Sequence, residues 1–223
     1  MNVSQDRKKT QATYDSLSRF YDLMSGSTED RARQQAVNLL NIKADDVLLE
    51  IGCGTGAATI VMGKKVGTDG HVFGIDLSIK MLSVAQKKLR QKGEQISVGL
   101  CCGDAVRLPL SSQSVSGIMM SFALELFPDA EITSVLSECA RVLCQGGRLC
   151  VLSMSKWQSK GFMFQMYQGL QKRFPTWIDC RPILLAQTLA GNGFKVIESR
   201  QSSLFGLPIE IVLAVPEGKS KQL

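Results

Sequence analysis

The stretch LLEIGCGTGAATI, residues 48–60, is an apolar run that ends in three closely spaced glycines and continues into small residues. An apolar run of this length predicts a buried β-strand. Glycine is favoured where the backbone turns sharply or passes close to another group, because it carries no side chain. The stretch therefore predicts a strand, a tight turn and the start of a helix, an arrangement that suits a nucleotide-like ligand.

The glycine spacing fits two classes of cofactor. Gly52, Gly54 and Ala57 match the G-x-G-x-x-G/A fingerprint of dinucleotide-binding folds. Gly52, Gly54 and Gly56 match the G-x-G-x-G turn of enzymes that use S-adenosylmethionine (SAM). Asp76 ends the second predicted strand, where a carboxylate can bind the ribose diol of either cofactor. These residues alone leave both interpretations open.

Apolar runs alternate with amphipathic segments from about residue 45 onward. This alternation predicts a parallel sheet with helices on both faces. The last two predicted strands are separated by seven residues, too few for a helical crossover, so they should form an antiparallel hairpin. The fold class is thus α/β, a Rossmann-like, mostly parallel sheet of seven strands. The predicted strands are 46–52, 71–76, 96–100, 115–121, 146–154, 194–200 and 208–216, and helices are predicted at 58–67, from Ser78 to Gly93, from Asp129 and from Pro182 to Gly193.

At 223 residues the chain fits one domain, 1–223. We expect mobile tails at 1–12 and 217–223 and an N-terminal helical cap at 10–40. The segment 156–180 contains both tryptophans, three phenylalanines and two methionines. It is predicted to be a substrate lid for an apolar acceptor. The alternative is a helix packed against the edge of the sheet.

Three features favour SAM over a dinucleotide. Glu50, two residues before the first glycine, suits a cationic sulfonium or amino group better than a pyrophosphate. Asp104 follows the third predicted strand, where it can accept the adenine amino group while the backbone of Ala105 meets the ring edge. Hydride chemistry lacks a Tyr-x-x-x-Lys pair, and the single histidine, His71, begins a strand at the opposite edge. The predicted cofactor is therefore SAM, released as S-adenosylhomocysteine, with no metal.

Four segments, LLEIGCGTG, GIDLS, GDAVRLPL and RVLCQGGRL, occur in an order and spacing that resemble the class I SAM-dependent methyltransferases. The entry YDSLSRFYDLMSG at 14–26 and the closing AGNGF at 190–194 resemble the ubiquinone/menaquinone-biosynthesis C-methyltransferase (methyltransferase type 11) group. The resemblance covers nearly the whole chain and implies the fold and the methyl donor of that family.

The resemblance also implies roles for individual residues. The glycines would line the methionine end of SAM, Asp76 would bind ribose, Ser121 would lie beneath the sulfonium and Tyr21 would close the pocket. For Tyr21 and Tyr14 the alternative is packing on an amphipathic helix. The complete predicted cofactor site is Tyr21, Glu50, Gly52, Cys53, Gly54, Gly56, Asp76, Leu77, Gly103, Asp104, Ala105 and Ser121.

The resemblance to the quinone enzymes is incomplete after the fourth predicted strand. Where they carry a segment of the FGLRN type with a basic residue, this chain reads SFALELFP at 121–128, which contains Glu125. Methyl transfer needs a general base only if the acceptor must lose a proton. The candidate catalytic residues are Glu125, Asp179 and Arg181. The alternative for Glu125 is an exposed linker residue, and for Asp179 it is a helix N-cap.

The net charge of +6 does not by itself indicate a nucleic-acid site. Half of it lies in the predicted tails, and the run KKLRQK at 87–92 fits the solvated face of a helix. The motifs with which nucleobase methyltransferases hold exocyclic amines or attack pyrimidines are absent from the sequence. The expected partner is therefore a small or lipophilic substrate and not nucleic acid. Peripheral membrane contact and the oligomeric state are left open.

Seven cysteines without a C-x-x-C pair, together with one histidine, predict buried thiols and neither a metal site nor disulfides. The sequence contains no run of about 20 apolar residues and begins without an apolar signal segment. The expected location is cytoplasmic, with contact to a membrane surface as an option.

Three functional hypotheses follow. The first is a C-methyltransferase that acts on a quinol precursor or a similar hydrophobic ring. The second is an N-, O- or S-methyltransferase of a lipid headgroup, amine or thiol metabolite. The third is a non-catalytic SAM-binding interaction protein. The YD entry favours the first hypothesis, the departure from FGLRN favours the second, and the full set of acidic residues (Glu50, Asp76, Asp104) counts against the third.

Overall fold

The computed structural model describes residues 26–91, 96–156 and 181–218, which form a seven-stranded sheet with helices on both faces. The helices are α1 (Gly26–Leu39), α2 (Ala57–Val66), α3 (Ile79–Gln91), α4 (Asp129–Val142) and α5 (Leu185–Ala190), with a 3₁₀ turn at Leu124–Leu126. The strands are β1 (Val47–Ile51), β2 (His71–Asp76), β3 (Val98–Cys102), β4 (Val115–Ser121), β5 (Leu143–Met154), β6 (Phe194–Leu204) and β7 (Leu207–Pro216). Most of the predicted lid, the tail 1–12 and the first part of the helical cap lie outside the described residues.

The strand order across the sheet is β3-β2-β1-β4-β5-β7-β6. The first five strands pair in parallel, whereas β7 pairs antiparallel with both β5 and β6. The predicted fold class, a mostly parallel sheet that ends in an antiparallel hairpin, is confirmed.

The sequences of the central strands are continuous apolar runs because both faces of these strands are buried. In β1, Leu48 belongs to the apolar layer beneath α1 and α2, and Leu49 to the layer beneath α4 and α5. Both leucines are fully buried. Burying one such side chain contributes about 1.5–3 kcal/mol, so two covered faces give this sheet a core on each side.

The final helix begins later than the sequence predicts. It starts at Leu185, so the prediction of a start at Pro182 is wrong. The N–H of Ile183 donates to the carbonyl of Met154 over 3.1 Å, and the N–H of Lys156 donates to the carbonyl of Ile183 over 3.0 Å. These bonds hold Ile183 alongside the end of β5, in an extended conformation that a helix start would break.

The final hairpin is tighter than predicted. The two strands extend to Leu204 and from Leu207, so Phe205 and Gly206 alone form the turn. Their φ angles are 51° and 78°. Positive φ at both positions is the geometry of a type I′ turn, whose twist matches that of the strands it joins.

A partly buried arginine joins the segment that follows α1 to the amino-terminal edge of the sheet. Arg148 donates to the carbonyls of Leu40 over 2.6 Å, Asn41 over 2.9 Å and Ser116 over 3.0 Å. It also forms an ion pair with the buried carboxylate of Asp46. Burial favours the neutral acid, but hydrogen bonds, led by that from Arg148, hold the pKa of Asp46 below its usual value.

Six of the seven cysteines are described, and none of these six forms a disulfide. Cys53, Cys139 and Cys150 are buried as predicted, but Cys101 and Cys102 are exposed. The prediction is wrong for these two because β3 is the edge strand of the sheet. Within the described ranges we find neither a group of three or more His, Cys, Asp and Glu side chains suited to a metal nor a helix that meets the length and apolarity of a membrane span.

Candidate functional site

Four neighbouring parallel strands end at the same edge of the sheet, and predicted site residues follow each of them. Gly52 follows β1, Asp76 ends β2, Gly103 follows β3 and Ser121 ends β4. The register pairs Asp76 with Cys102, so the ends of β2 and β3 are level. Open parallel sheets bind ligands at this carboxyl edge.

Glycine is needed at the three positions of the turn for different structural reasons. All have positive φ, of 70°, 52° and 78° for Gly52, Gly54 and Gly56. A Cβ at Gly52 would lie 2.7 Å from the Cβ of Ala123, and one at Gly56 would lie 3.0 Å from the Cβ of Ala85. Among the described residues, a Cβ at Gly54 would meet nothing within 4 Å. Gly52 and Gly56 therefore make room for protein atoms, and of the three only Gly54 has open space on its side-chain side.

Cys53 is engaged within the turn itself. Its N–H donates to the carbonyl of Ile75 over 3.1 Å, and its own carbonyl accepts from the N–H of Gly56 over 2.8 Å. Its sulfur lies against Gly74 of β2, where an added Cβ would come within 3.0 Å of it. Burial raises the pKa of the Cys53 thiol. Cys53 thus anchors the turn to β2, with its side chain buried in the protein.

Asp76 joins the glycine turn to the start of α3. Its Oδ2 accepts the N–H of Gly54 over 2.7 Å, and its Oδ1 accepts the N–H of Ser78 over 2.8 Å. Because a carboxylate oxygen accepts more than one hydrogen bond, this carboxylate is held in a fixed orientation and can still bind a diol. The next residue, Leu77, accepts a 3.7 Å bond from the thiol of Cys102 through its carbonyl.

Glu50 lies beneath the turn and is 2% exposed. Burial raises its pKa to about 7, although the hydroxyl of Thr59, which donates to Oε2, and the positive charge of Arg33 favour the ionised form. A cation bound nearby would return it to the carboxylate form. Thr59 is a partner that the sequence interpretation missed, and the available signal is a hydroxyl among the apolar residues of α2.

The loop after β3 is stabilised by Asp104. Its Oδ1 accepts the N–H of Val106 over 3.1 Å, and its carbonyl accepts the N–H of Arg107 over 3.1 Å. The N–H of Gly103 donates to the carbonyl of Asp76 over 3.1 Å, which joins this loop to the end of β2. Ala105 is 5% exposed, so a planar ring could contact only its backbone or its methyl edge.

The end of β4 contains a strained residue and a buried hydroxyl. Phe122 has a φ of 53°, which is rare for a bulky side chain. Its N–H donates to the carbonyl of Leu152 over 2.8 Å. The hydroxyl oxygen of Ser121 is buried and has no hydrogen-bond partner among the described residues. Backbone strain and an unsatisfied buried polar atom are both features of ligand sites.

Glu125 is fully buried, so the alternative of an exposed linker residue is wrong. Its Oε1 accepts the N–H of Met154 over 3.0 Å. Pairing of β4 with β5 ends at Ser121 and Leu152. On that side of β5, the Glu125 carboxyl group and not a strand therefore accepts the N–H of Met154. Oε2 has no hydrogen-bond partner among the described residues, and burial raises the pKa of Glu125 to about 7.

Arg181 is half-exposed and lies beside the loop that follows the 3₁₀ turn. It donates to the carbonyl of Phe127 over 2.6 Å, and its guanidinium lies 3.8 Å from the carboxylate of Asp129. The other predicted residues, Tyr21 and Asp179, lie outside the described residues.

This arrangement fits SAM by three observations. Gly54 presents open space beside its backbone, Asp76 presents an oriented carboxylate next to it, and the hydroxyl of Ser121 is buried at the adjacent strand end. A cationic methionine end, a ribose diol and an adenine ring would each meet a suitable group along this edge.

Comparison of Gly54→Ala with a control variant tests whether Gly54 is needed to leave room for the ligand or only to adopt a positive φ. The new methyl group of Gly54→Ala would meet no atom of the described residues within 4 Å, but it would occupy the open space beside the turn. We expect SAM affinity measured by calorimetry to fall roughly tenfold to a hundredfold, with a loss of about 1–2 kcal/mol in unfolding free energy. Gly146→Ala is the matched control, since Gly146 also has positive φ and open space but lies remote from this edge. Equal SAM affinity in both variants would contradict the assignment of Gly54.

Residues 1–177 match the model of the ubiE/COQ5 methyltransferase family. A demethylmenaquinone methyltransferase of Lactobacillus johnsonii is 38% identical over 135 residues, which are 60% of this chain and 54% of that protein. A demethylmenaquinone methyltransferase of Desulfitobacterium hafniense is 31% identical over 156 residues, 68% of this chain and 61% of that protein. This chain therefore spans little more than half the length of the first of these relatives.

Two solved structures share the fold at low sequence identity. Magnesium protoporphyrin IX methyltransferase from Synechocystis, crystallised with bound S-adenosylhomocysteine, has a TM-score of 0.74 at 18% identity and covers 95% of this chain and 99% of its own. A SAM-dependent methyltransferase from Aquifex aeolicus has a TM-score of 0.66 at 18% identity, with 88% and 97% covered. The family match extends over more than half of the chain and agrees with the motifs at the strand ends. The chain belongs to the ubiE/COQ5 methyltransferase family.

Proposed function

We propose that the protein transfers a methyl group from SAM to a ring carbon of a quinol precursor. The observation that carries this proposal is the family match over residues 1–177, together with relatives named demethylmenaquinone methyltransferase. The geometry supports the methyl-donor part of the proposal through the oriented Asp76 carboxylate beside the open face of Gly54.

We assign the cofactor contacts by chemistry. Asp76 would hold the ribose hydroxyls, Asp104 and Ala105 the adenine ring, and Glu50 the cationic methionine end through charge. The hydroxyl of Ser121 would face the reacting centre. When bound, SAM supplies an already activated methyl group, so the protein mainly aligns the acceptor and excludes water.

Glu125 is our candidate for the group that handles a proton. Methylation of a quinol ring releases one proton overall, which must leave the acceptor. A buried carboxyl with a pKa of about 7 is partly ionised near neutral pH and can accept it. The unpartnered Oε2 is the atom available for this role among its described contacts, while Oε1 stays on Met154.

A second acceptor class remains a candidate because of the segment 121–128. It carries buried Glu125 in the place of the FGLRN-type segment, which contains a basic residue, of the quinone enzymes. An acid in that position suits a cationic or protonatable acceptor, such as an amine. A SAM-binding protein without catalysis is the third candidate.

Methyl transfer from radiolabelled SAM tests these candidates directly. Purified protein is incubated with demethylmenaquinol, and in parallel with fractionated lipid, metabolite and RNA extracts. We expect label in the methylated quinol and in the lipid fraction, and none with the Asp76→Ala variant. Label confined to an amine or thiol metabolite would support the second candidate and overturn the quinol proposal. SAM binding without label in any fraction would indicate the non-catalytic protein, and label in RNA would contradict all three.

A further inference from the structure

The turn between β6 and β7 holds an exposed phenylalanine in a backbone conformation that phenylalanine rarely adopts. Phe205 has a φ of 51° and Gly206 a φ of 78°. Type I′ turns need positive φ at both central positions and favour Asn-Gly. A bulky residue there is strained, because its Cβ crowds the neighbouring carbonyl oxygen. An aromatic side chain therefore occupies a position that asparagine would fit better.

Packing does not compensate for this strain. Phe205 is 60% exposed, so its ring buries little surface against the fold. By contrast, Leu204 on one side of the turn is buried and Leu207 on the other is half-buried. A strained residue that contributes little packing is a candidate for a role outside the fold.

The turn projects from the same edge of the sheet as the candidate site. The N–H of Ser155, just beyond the end of β5, donates to the carbonyl of Pro208 over 2.9 Å. Continuing the antiparallel register by one residue sets Lys156 opposite Leu207. Lys156 is exposed. The extended register places Lys156 at the carboxyl edge, beside the strand residue that lies two positions after Phe205.

The small size of the exposed Phe205–Gly206 turn and the residues around it indicate which class of partner it binds. A stable protein interface buries about 800 Å² on each side, far more than one ring at a hairpin tip can supply. Aromatic rings beside lysines are typical of segments that sit at the headgroup level of a bilayer, where the lysine meets anionic phosphate. We propose that the Phe205–Gly206 turn docks the carboxyl edge of the sheet on an anionic phospholipid surface.

This docking goes beyond the proposed reaction and does not depend on it, because the turn binds lipid whether or not methyl transfer occurs. It would bring the acceptor side of the protein to the surface where a lipophilic substrate is dissolved. The described residues contribute only the tip of the hairpin and one flanking lysine, so the attachment is peripheral and reversible.

Cosedimentation with vesicles, without SAM or acceptor, tests the proposal. We expect the full chain to bind vesicles of equal parts phosphatidylglycerol and phosphatidylcholine. Phe205→Asn should weaken that binding about tenfold, since the ring no longer leaves water. The same variant should unfold about 2–4 °C higher, because Asn-Gly relieves the turn. A gain in stability with a loss in lipid binding is a combination that a purely structural role of Phe205 would not produce.

Two further variants sharpen the result. Phe205→Trp should retain vesicle binding, since it preserves an interfacial aromatic ring. Ile197→Asn is the control. Ile197 is 53% exposed on the same hairpin, and it lies eight positions before Phe205, roughly 26 Å along the strand. It should bind vesicles like the unaltered protein. The proposal is overturned if the unaltered protein does not bind vesicles, if Phe205→Asn binds equally well, or if that variant melts at a lower temperature. It is also overturned if Phe205→Asn dissociates a dimer in sedimentation velocity, because the partner of the ring would then be a second copy of the chain.

Discussion

Asp76→Ala is expected to weaken SAM binding about 100-fold, the loss of roughly 2.7 kcal/mol that follows from two hydrogen bonds to a charged group. In the structure this carboxylate accepts the N–H groups of Gly54 and Ser78. Its removal therefore also frees the turn that approaches the ligand. Isothermal calorimetry with SAM measures the change.

Two further variants show whether Asp76→Ala weakens SAM binding through the lost carboxylate or through an effect on folding. Asp76→Asn retains the size and one acceptor oxygen, so we expect an intermediate loss of affinity with little change in folding. Asp69→Ala removes an exposed carboxylate in the turn after α2, at the opposite edge of the sheet, and should leave SAM affinity unchanged. If Asp76→Ala binds SAM as tightly as the unaltered protein, while folding normally, the proposed cofactor site is wrong.

Arg148→Met is expected to lower the free energy of unfolding by about 3–5 kcal/mol, because it leaves the buried carboxylate of Asp46 without its cation. Three carbonyls, those of Leu40, Asn41 and Ser116, also lose a donor. Urea unfolding followed by circular dichroism measures the change. Arg200→Met is the matched control, since Arg200 pairs with Glu198 on the surface and should change stability by no more than about 1 kcal/mol.

The pH dependence of the Arg148 effect has a definite sign. The pKa of Asp46 in the folded protein is lowered, so its ionised form contributes stability above its ordinary pKa, and this contribution is lost as the pH falls through the lowered value. The difference between the unaltered protein and Arg148→Met should therefore be full at neutral pH and shrink in acid. Adding Asp46→Asn to Arg148→Met should recover part of the loss, because the unpaired charge is removed. If the difference in unfolding free energy between the two proteins stays constant from neutral to acidic pH, the ion pair is not the cause of that difference.

The acidic residues show how far the sequence interpretation extends. Motif position was enough to select Glu50, Asp76 and Asp104 as neighbours at one edge, because consecutive parallel strands end on the same side. It did not reveal that Glu50 lies beneath the turn with Thr59 as its partner, or that Glu125 is buried at the end of β5. Burial and pairing depend on which distant segments pack together, and local spacing carries no record of that.

The helix boundaries make the same point. The alternation of apolar runs and amphipathic segments predicts α4 correctly from Asp129, because its apolar positions repeat at helical spacing. The start at Pro182 was wrong because bonds to Met154 and Lys156 hold Ile183 extended. These partners lie about 30 residues earlier in the chain, so the local pattern could not predict the competition between strand pairing and helix.

By itself the sequence determined the fold class, the strand–turn–helix at 48–60 and the final antiparallel hairpin. Each of these depends on local pattern, on glycine spacing or on the length of a connection. Only the tertiary structure decided why each glycine is needed. Gly52 and Gly56 make room for Ala123 and Ala85, whereas Gly54 faces space that the described part of the chain leaves open. The physical reason is steric: the atoms that occupy the place of a missing side chain come from the segment after β4 and from α3, and only the packed fold brings them to the turn.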